Sequence, residues 1–191
     1  MTLSIVALSG NVTRPSRTAS LTASIVSAFE RHTIGTTTTF QMVDVAPDLF
    51  TALRPEQLAG RARDIVDTVE ASDILVVASP VYRASYTGAL KHLFDLVHFG
   101  ALAGKPVILA ATGGSHLHGL VTEHQLRPLM SFFNALTVPT AIYATEADFT
   151  DFALNSPAVL ARIERAVGEA VSLSRLRSAP LVAAASERLI A

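Results

Sequence analysis

The run Ile74-Leu75-Val76-Val77-Ala78, continued by Ser79-Pro80-Val81-Tyr82-Arg83-Ala84-Ser85-Tyr86-Thr87-Gly88, decides how the chain folds. Five apolar residues with no polar alternation read as a strand buried on both faces, the mark of a parallel sheet covered by helices. The polar segment behind it therefore leaves the carboxyl end of a central strand. Thr87 or Gly88 then opens a helix with Leu90, Phe94 and Val97 on its inner face. Upstream, residues 3–8 form a similar apolar run closed by Ser9-Gly10, and Leu21, Ile25, Ala28 and Phe29 fall at helical spacing. Residues 40–45 read as the second strand and 56–71 as the next helix, with Leu58, Ala62, Ile65, Val66 and Val69 facing inward. Downstream, residues 107–111 give the fourth strand, 117–134 the fourth helix and 138–143 the fifth strand. Ser156-Pro157 supplies a cap and a first-turn proline for a last helix, whose inner face is Val159, Leu160, Ile163, Val167, Ala170 and Val171. Five strands alternating with five helices predict an α/β fold, a three-layer α/β/α sandwich around a five-stranded parallel sheet. One domain is expected over residues 1–175, with a tail at 176–191.

A chain of 191 residues is the size of one ordinary domain. Half of its residues are apolar and only 16% are charged, a balance that suits buried strands or a subunit interface. No apolar run reaches the roughly 18 residues of a membrane span, and the first residues enter a strand pattern without a charged leader. A formal net charge of −1, with scattered basic residues, offers no field for nucleic acid or an anionic membrane. The sequence has no cysteine, which excludes disulfides, thiolate metal sites and cysteine nucleophiles. A cytoplasmic protein without nucleic-acid or membrane partners is expected. The apolar tail over 180–191 reads either as packing against a neighbouring subunit or as a frayed end.

In a doubly wound sheet, ligands bind outside the carboxyl ends of the strands, near the point where the strand order reverses. Three polar loops follow strands one, three and four, so all three lie on that edge. The first, Ser9 to Thr18, carries hydroxyls, two arginines and a helix N-terminus, where free N–H groups and the helix dipole favour an anion. It lacks both the glycine pattern of a dinucleotide turn and the Gly-Lys-Ser/Thr of an NTPase loop. Such a cradle suits a terminal monophosphate such as that of FMN, or is simply a capped helix start. The second loop, Ser79 to Gly88, has a proline that fixes the backbone, and Tyr82 and Tyr86 are placed either to stack on a ring or to meet another surface. The third, Ala111-Thr112-Gly113-Gly114-Ser115-His116-Leu117-His118-Gly119, has paired glycines that suit a planar ligand or a tight turn.

Together these loops resemble the NADPH-dependent FMN reductase family of the flavodoxin-like superfamily, most closely the reductases of two-component alkanesulfonate and methanesulfonate monooxygenases. The resemblance rests on Ile5-Val6-Ala7-Leu8-Ser9-Gly10 with Arg14, Ser16 and Thr18, on Pro80 to Lys91, on Ala103-Gly104-Lys105-Pro106, and on Ala111 to Ser115. Asn11 departs from it, at a place often held by serine. The resemblance implies a flavodoxin-like fold and hydride transfer from NADH or NADPH to FMN, with reduced FMN passed to a flavin-dependent monooxygenase. It implies that Ser9, Arg14, Ser16 and Thr18 hold the phosphate. Pro80, Val81, Tyr82 and Arg83 would line the isoalloxazine with Ser85 close by, and Thr112, Gly113, Gly114 and Ser115 would border its other edge. A homotetramer is also implied.

Pro128 lies inside an otherwise helical stretch and cannot donate to the carbonyl of His124, so a kink or π-bulge is expected there. In similar reductases this turn carries an inserted aromatic residue near the flavin and the subunit interface, which His124 would match; the plain alternative is a histidine packed at a helix contact. His116, His118 and His124 with Glu123 do not have a recognised metal-ligand spacing, and no metal is expected. Gly-x-Ser-x-Gly is absent, which disfavours serine hydrolysis. Asp44 and Asp48 read as loop punctuation, and no residue is assigned as an acid or base. Two rival readings share the fold: a quinone or azo reductase that retains FMN, and an electron carrier, which the near-neutral charge disfavours. A flavin-free module is a third.

Overall fold

Alternating burial along the strands builds both sides of the sheet at once. In the computed structural model, which describes residues 2–178, β1 (Leu3–Ser9), β2 (Gly35–Gln41), β3 (Ile74–Pro80) and β4 (Pro106–Gly113) run parallel in the order β2-β1-β3-β4. Two short pieces, β5 (Leu136–Thr137) and β6 (Ile142–Thr145), pair in turn with the outer edge of β4. Val6, Leu8, Leu75, Val77, Val107 and Leu109 point to the face covered by α2 (Met42–Leu49), α3 (Gly60–Ala71), α4 (Gly88–Leu96) and α5 (Arg127–Phe132). Their neighbours Ile5, Ala7, Ile74, Val76, Ile108 and Ala110 point to the face covered by α1 (Arg17–His32) and α6 (Pro157–Ser178). This is the flavodoxin-like order, with the switch point between β1 and β3, whose register pairs Ser9 with Ala78.

The second strand is Gly35–Gln41, not residues 40–45. It is an edge strand paired along its whole length with β1, and four consecutive β-branched threonines suit a pleated, solvent-facing edge without an apolar run. Met42, Val45 and Leu49 are then spaced as the buried face of α2, so Asp44 and Asp48 lie on a helix, where Asp48 pairs with Arg61 at 3.1 Å. The stretch 56–71 divides into a 3₁₀ turn at Pro55–Gln57 and α3. The stretch 117–134 is likewise broken, into a 3₁₀ turn at His116–His118, a π-helix at Thr122–Leu126 and α5. Residues 138–143 are not one strand: Pro139, which has no N–H to donate, lies between β5 and β6. A small hairpin, β7 (Phe149–Thr150) and β8 (Ala153–Leu154), precedes α6. The helix continues through Ser178, and the rest of the apolar tail, 179–191, lies outside the described residues.

Lys105 is buried at the entrance to β4 and ties the two layers together. Its ammonium donates to the carbonyls of Val69 (3.0 Å) and Glu70 (2.9 Å), in the last turn of α3, and to Ser72 Oγ (3.1 Å). The cation thereby satisfies orphan acceptors at a helix C-terminus. Burial is the main cause pushing this amine down from 10.5 to about 8, with the nearby Arg177 adding to it. Replacing Lys105 with Met is expected to cost about 2–4 kcal/mol near neutral pH by stranding these acceptors, as measured by urea unfolding. Between about pH 8 and 10.5 the unfolded chain holds the lysine proton more tightly than the native one, so the wild type gains stability relative to K105M as pH rises through that window.

Candidate functional site

Short polar contacts lock the three strand-terminal loops together. Gly10 N donates to Ala78 O (2.7 Å), Thr87 Oγ1 to Gly10 O (2.8 Å), and Thr87 N to Ser79 Oγ (3.1 Å). A Cβ on Gly10 would lie 2.9 Å from Ser79 Oγ and 3.2 Å from Ala78 O, so only glycine allows the first loop to sit this close to the second. Val81 N donates to Thr112 O (2.8 Å), which joins the second loop to the third. Across the face of α1, the buried hydroxyls of Thr18 and Thr112 meet at 2.6 Å and join the first loop to the third.

Between them lies a cleft of about 230 Å³. The first loop contributes Asn11, Thr13, Pro15, Ser16, Arg17 and Thr18, the second Pro80, Val81 and Tyr82, and the third Thr112, Gly113 and Gly114. A fourth segment, following β6, adds Thr145, Glu146 and Phe152. Ser16 caps α1, its Oγ accepting from Ala19 N at 3.2 Å, and no acidic residue occupies the first turn of that helix. Arg17 is thereby placed at the first helical position, on the cleft wall. One of its amino groups is bonded to Glu146, and its guanidinium lies 5.1 Å from the centre of the Phe152 ring. Its Nε is buried without a hydrogen-bond partner. A buried unsatisfied donor is costly, and this one stands beside a helix N-terminus, in a setting that fits a phosphate monoester. The opposite end is flat. Gly113 is backed so closely by the Tyr143 hydroxyl that a side chain would collide with it, whereas a Cβ on Gly114 would meet nothing within 4 Å.

Of the residues singled out from the sequence, Ser16, Thr18, Pro80, Val81, Tyr82, Thr112, Gly113 and Gly114 come together on this wall. The others lie elsewhere. Ser9 is fully buried beneath the loop, its hydroxyl donating to Asn11 Oδ1 at 2.6 Å. Asn11 in turn donates to Thr13 O and Gln41 Oε1, both at 3.2 Å, so this pair shapes the loop from below. Arg14 is exposed and grips Asp44 with both amino groups, at 2.7 and 2.6 Å. That bond raises the arginine's pKa and lowers the carboxyl's. Of the two arginines in the first loop, it is Arg17 that lines the cleft. Arg83 is exposed at φ +51° beside Ala84 at φ +65°, the centre of a type I′ turn closed by the Tyr82–Ser85 bridge. Ser85 Oγ donates to Gln125 on the π-helix at 3.1 Å. Ser115 accepts the Tyr143 hydroxyl on its carbonyl at 2.6 Å and lies off the cleft.

The π-helix is sealed by a bond from Arg127 N to Thr122 O, five residues back, just ahead of Pro128. His124 on this helix lines a separate hollow of about 190 Å³ with Val81 and Ala84 of the second loop and the exposed Leu117 and Leu120. The fourth segment was not signalled by any motif. Glu146 reaches the cleft directly from the end of β6, and Phe152 does so where the chain turns sharply at Asp151 (φ +46°) and Phe152 (φ +65°), positions where a sequence reader looks for glycine.

Among the cleft hydroxyls Ser16 caps a helix, Thr18 and Thr112 bond each other and Thr145 bonds Asp148, and no histidine lines the cleft, so the arrangement serves binding rather than nucleophilic attack. It offers a cationic end suited to an anion and a stretch of glycine backbone without side chains. Residues 3–150 match the family described as NADPH-dependent FMN reductase. The NADH-dependent FMN reductase SfnF of Pseudomonas fluorescens (strain Pf0-1) is 46% identical over 180 residues, covering 94% of this chain and 96% of that protein. The FMN reductase (NADPH) of Pseudomonas aeruginosa is 43% identical over 185 residues, covering 97% and 95%. Among solved structures, the apo form of the NADH:FMN oxidoreductase EMOB superposes with a TM-score of 0.80 at 31% identity, covering 94% of this chain and 92% of that one. The match spans every strand and loop from β1 through β6, and the chain belongs to the NADPH-dependent FMN reductase family.

Proposed function

We propose that the chain transfers a hydride from NADH or NADPH to FMN seated in this cleft, and hands the reduced FMN to a flavin-dependent monooxygenase acting on an organosulfur substrate. The observation that carries the reading is Arg17, a cleft residue at the start of α1 whose buried Nε has no hydrogen-bond partner, in a cleft that also holds the Gly113–Gly114 backbone. When bound, FMN supplies a two-electron acceptor, so that NAD(P)H + FMN + H⁺ gives NAD(P)⁺ + FMNH₂. The chain's own contribution is position. The Ser16–Thr18 turn and Arg17 fix the phosphate end, the wall formed by Pro80, Val81 and Tyr82, whose N–H groups are already bonded to Thr112 O and Ser85 O, gives a ring edge a rigid surface, and the Gly113–Gly114 backbone leaves room for a plane to lie flat. Holding two rings in register needs no side-chain acid or base at the moment of transfer.

Glu146 adds a second element. Its carboxylate already holds a guanidinium group that an incoming phosphate needs, so binding exchanges one anion for another. That competition limits affinity, which suits an enzyme whose product must leave. A subunit contact, and with it the homotetramer of this reading, is supported by Leu117 and Leu120 ahead of the π-helix and Phe132 at the end of α5, exposed at 88%, 61% and 69%, with His124 sharing a hollow with the first two. No described helix is long and apolar enough to cross a membrane. A cytoplasmic setting without nucleic-acid or membrane partners agrees with the net charge of −1.

Arg17→Ala is expected to weaken FMN binding about 10- to 100-fold, read by flavin fluorescence titration, through loss of a charge-assisted contact of about 1.4–2.8 kcal/mol. Arg14→Ala, which removes an exposed pair with Asp44 and a long hydrogen bond to Gln41, is expected to change it by less than about threefold. Glu146→Gln is expected to tighten FMN binding about three- to tenfold by removing the competing anion. The reading itself is checked by following nucleotide absorbance with and without added FMN: FMN-dependent oxidation supports it, and none with either nucleotide refutes it.

A further inference from the structure

The hydride donor carries phosphates of its own, and the cleft has no cation left for them. Arg17 is committed to the flavin end, and Arg14 lies outside, paired with Asp44. Across the Tyr143 side chain, behind Gly113, is a second hollow of about 420 Å³. Its walls come from the 3₁₀ turn after β4 (His116), from β6 (Tyr143), from the segment that follows (Asp148) and from the first three turns of α6. On α6 the lining residues Ala158, Ala161, Arg162 and Arg165 recur at helical spacing, two small side chains opening the wall and two arginines bordering it.

The charges in this hollow are unbalanced. Arg165 makes no hydrogen bond or ion pair among the described residues. Arg162 is anchored through Nε to Ala141 O and uses neither of its terminal amino groups in a hydrogen bond. The carboxylates nearby are engaged elsewhere. Asp148 accepts from Thr145 N (2.7 Å) and Thr145 Oγ1 (2.9 Å). Glu164, on the same helix, is held by Arg31 (2.5 Å) and His32 (2.6 Å) of α1. Glu169 accepts from Thr140 N (2.9 Å) and Thr140 Oγ1 (2.7 Å), and Glu123 is clasped by Arg127 (2.5 Å). Two guanidinium groups border a roomy hollow against the one carboxylate of Asp148, which is taken up by Thr145, and such a pair suits a phosphate ester.

We propose that this hollow is the docking site for a phosphate of the reduced nicotinamide nucleotide, held by Arg162 and Arg165 with His116 at the rim. The inference rests on the reading of the adjoining cleft as a flavin reductase. It also places the residues that govern nucleotide choice, a property on which the two compared relatives differ, one being named for NADH and the other for NADPH. Two phosphates of the nucleotide share this chemistry, the diphosphate bridge and the 2′-phosphate of NADPH, and the experiment separates them.

Calorimetric titration of the full chain with ADP-ribose and with ADP-ribose 2′-phosphate, which lack the nicotinamide, reads the site without turnover. Arg165→Glu is the first variant, because that side chain bonds nothing in the native fold; Arg162→Ala/Arg165→Ala is the second. Each is expected to weaken the bound fragment, and to raise the KM of the corresponding nucleotide, by at least about tenfold, with the KM for FMN unchanged. An effect confined to the 2′-phosphorylated fragment and NADPH assigns the site to the 2′-phosphate, and an equal effect on both fragments assigns it to the diphosphate. Unchanged fragment binding and unchanged nucleotide KM in the Arg165→Glu protein, with FMN-dependent turnover intact, would overturn the proposal. Absence of turnover in the wild type would instead refute the reading of the cleft.

Discussion

The contact on which the site depends is the approach of Gly10 to the end of β3. The chain leaves β1 toward one side of the sheet and β3 toward the other, and a crevice opens where they part. That crevice becomes a usable cleft only if the two departing loops are held in fixed relation. The bond from Gly10 N to Ala78 O and the bond from Thr87 Oγ1 to Gly10 O do this, with no atom to spare at Gly10 for a side chain. Thr87 is also the N-cap of α4, so the same hydroxyl that closes the loops starts the helix behind them. Fold and site therefore share one set of hydrogen bonds.

Where a strand is buried on both faces, its sequence announces it. The runs at 3–8, 74–78 and 107–111 are legible for this reason, and each falls inside an observed strand. The edge strand Gly35–Gln41 was not, because an edge needs β-branched residues rather than apolar ones, and the apolar residues just after it belong to α2. Pro128 signals a break near His124, and the π-helix lies there. Nothing local signals the 3₁₀ turn at His116–His118, and Pro139 marks the gap between β5 and β6 inside the apolar stretch 138–143 that otherwise resembles one strand.

The site divides along similar lines. Residues brought to the cleft by their place at the strand ends, such as Pro80, Val81, Gly113 and Gly114, can be located from the loops alone. Choosing between Arg14 and Arg17 needs the helix start, because capping by Ser16 turns the next residue into the cleft while Arg14 falls to Asp44 on α2. Ser9 looks like a ligand hydroxyl in sequence, yet it is used up by Asn11. Glu146 and Phe152 come from beyond β6, and only tertiary structure brings them to Arg17. The result is a cationic end in which the guanidinium and the carboxylate that holds it come from different parts of the chain.

The central claim is that the α1 N-terminus and Arg17 receive the phosphate of FMN. A crystal structure of the protein grown with excess FMN tests it most directly. The account predicts the phosphate within hydrogen-bonding distance of Arg17 Nε and the Ser16–Thr18 turn, with the Glu146 carboxylate displaced and the ring against Pro80–Tyr82 and Gly113–Gly114. Flavin bound elsewhere, or a phosphate that leaves the Arg17–Glu146 pair intact and Nε unpartnered, would contradict it.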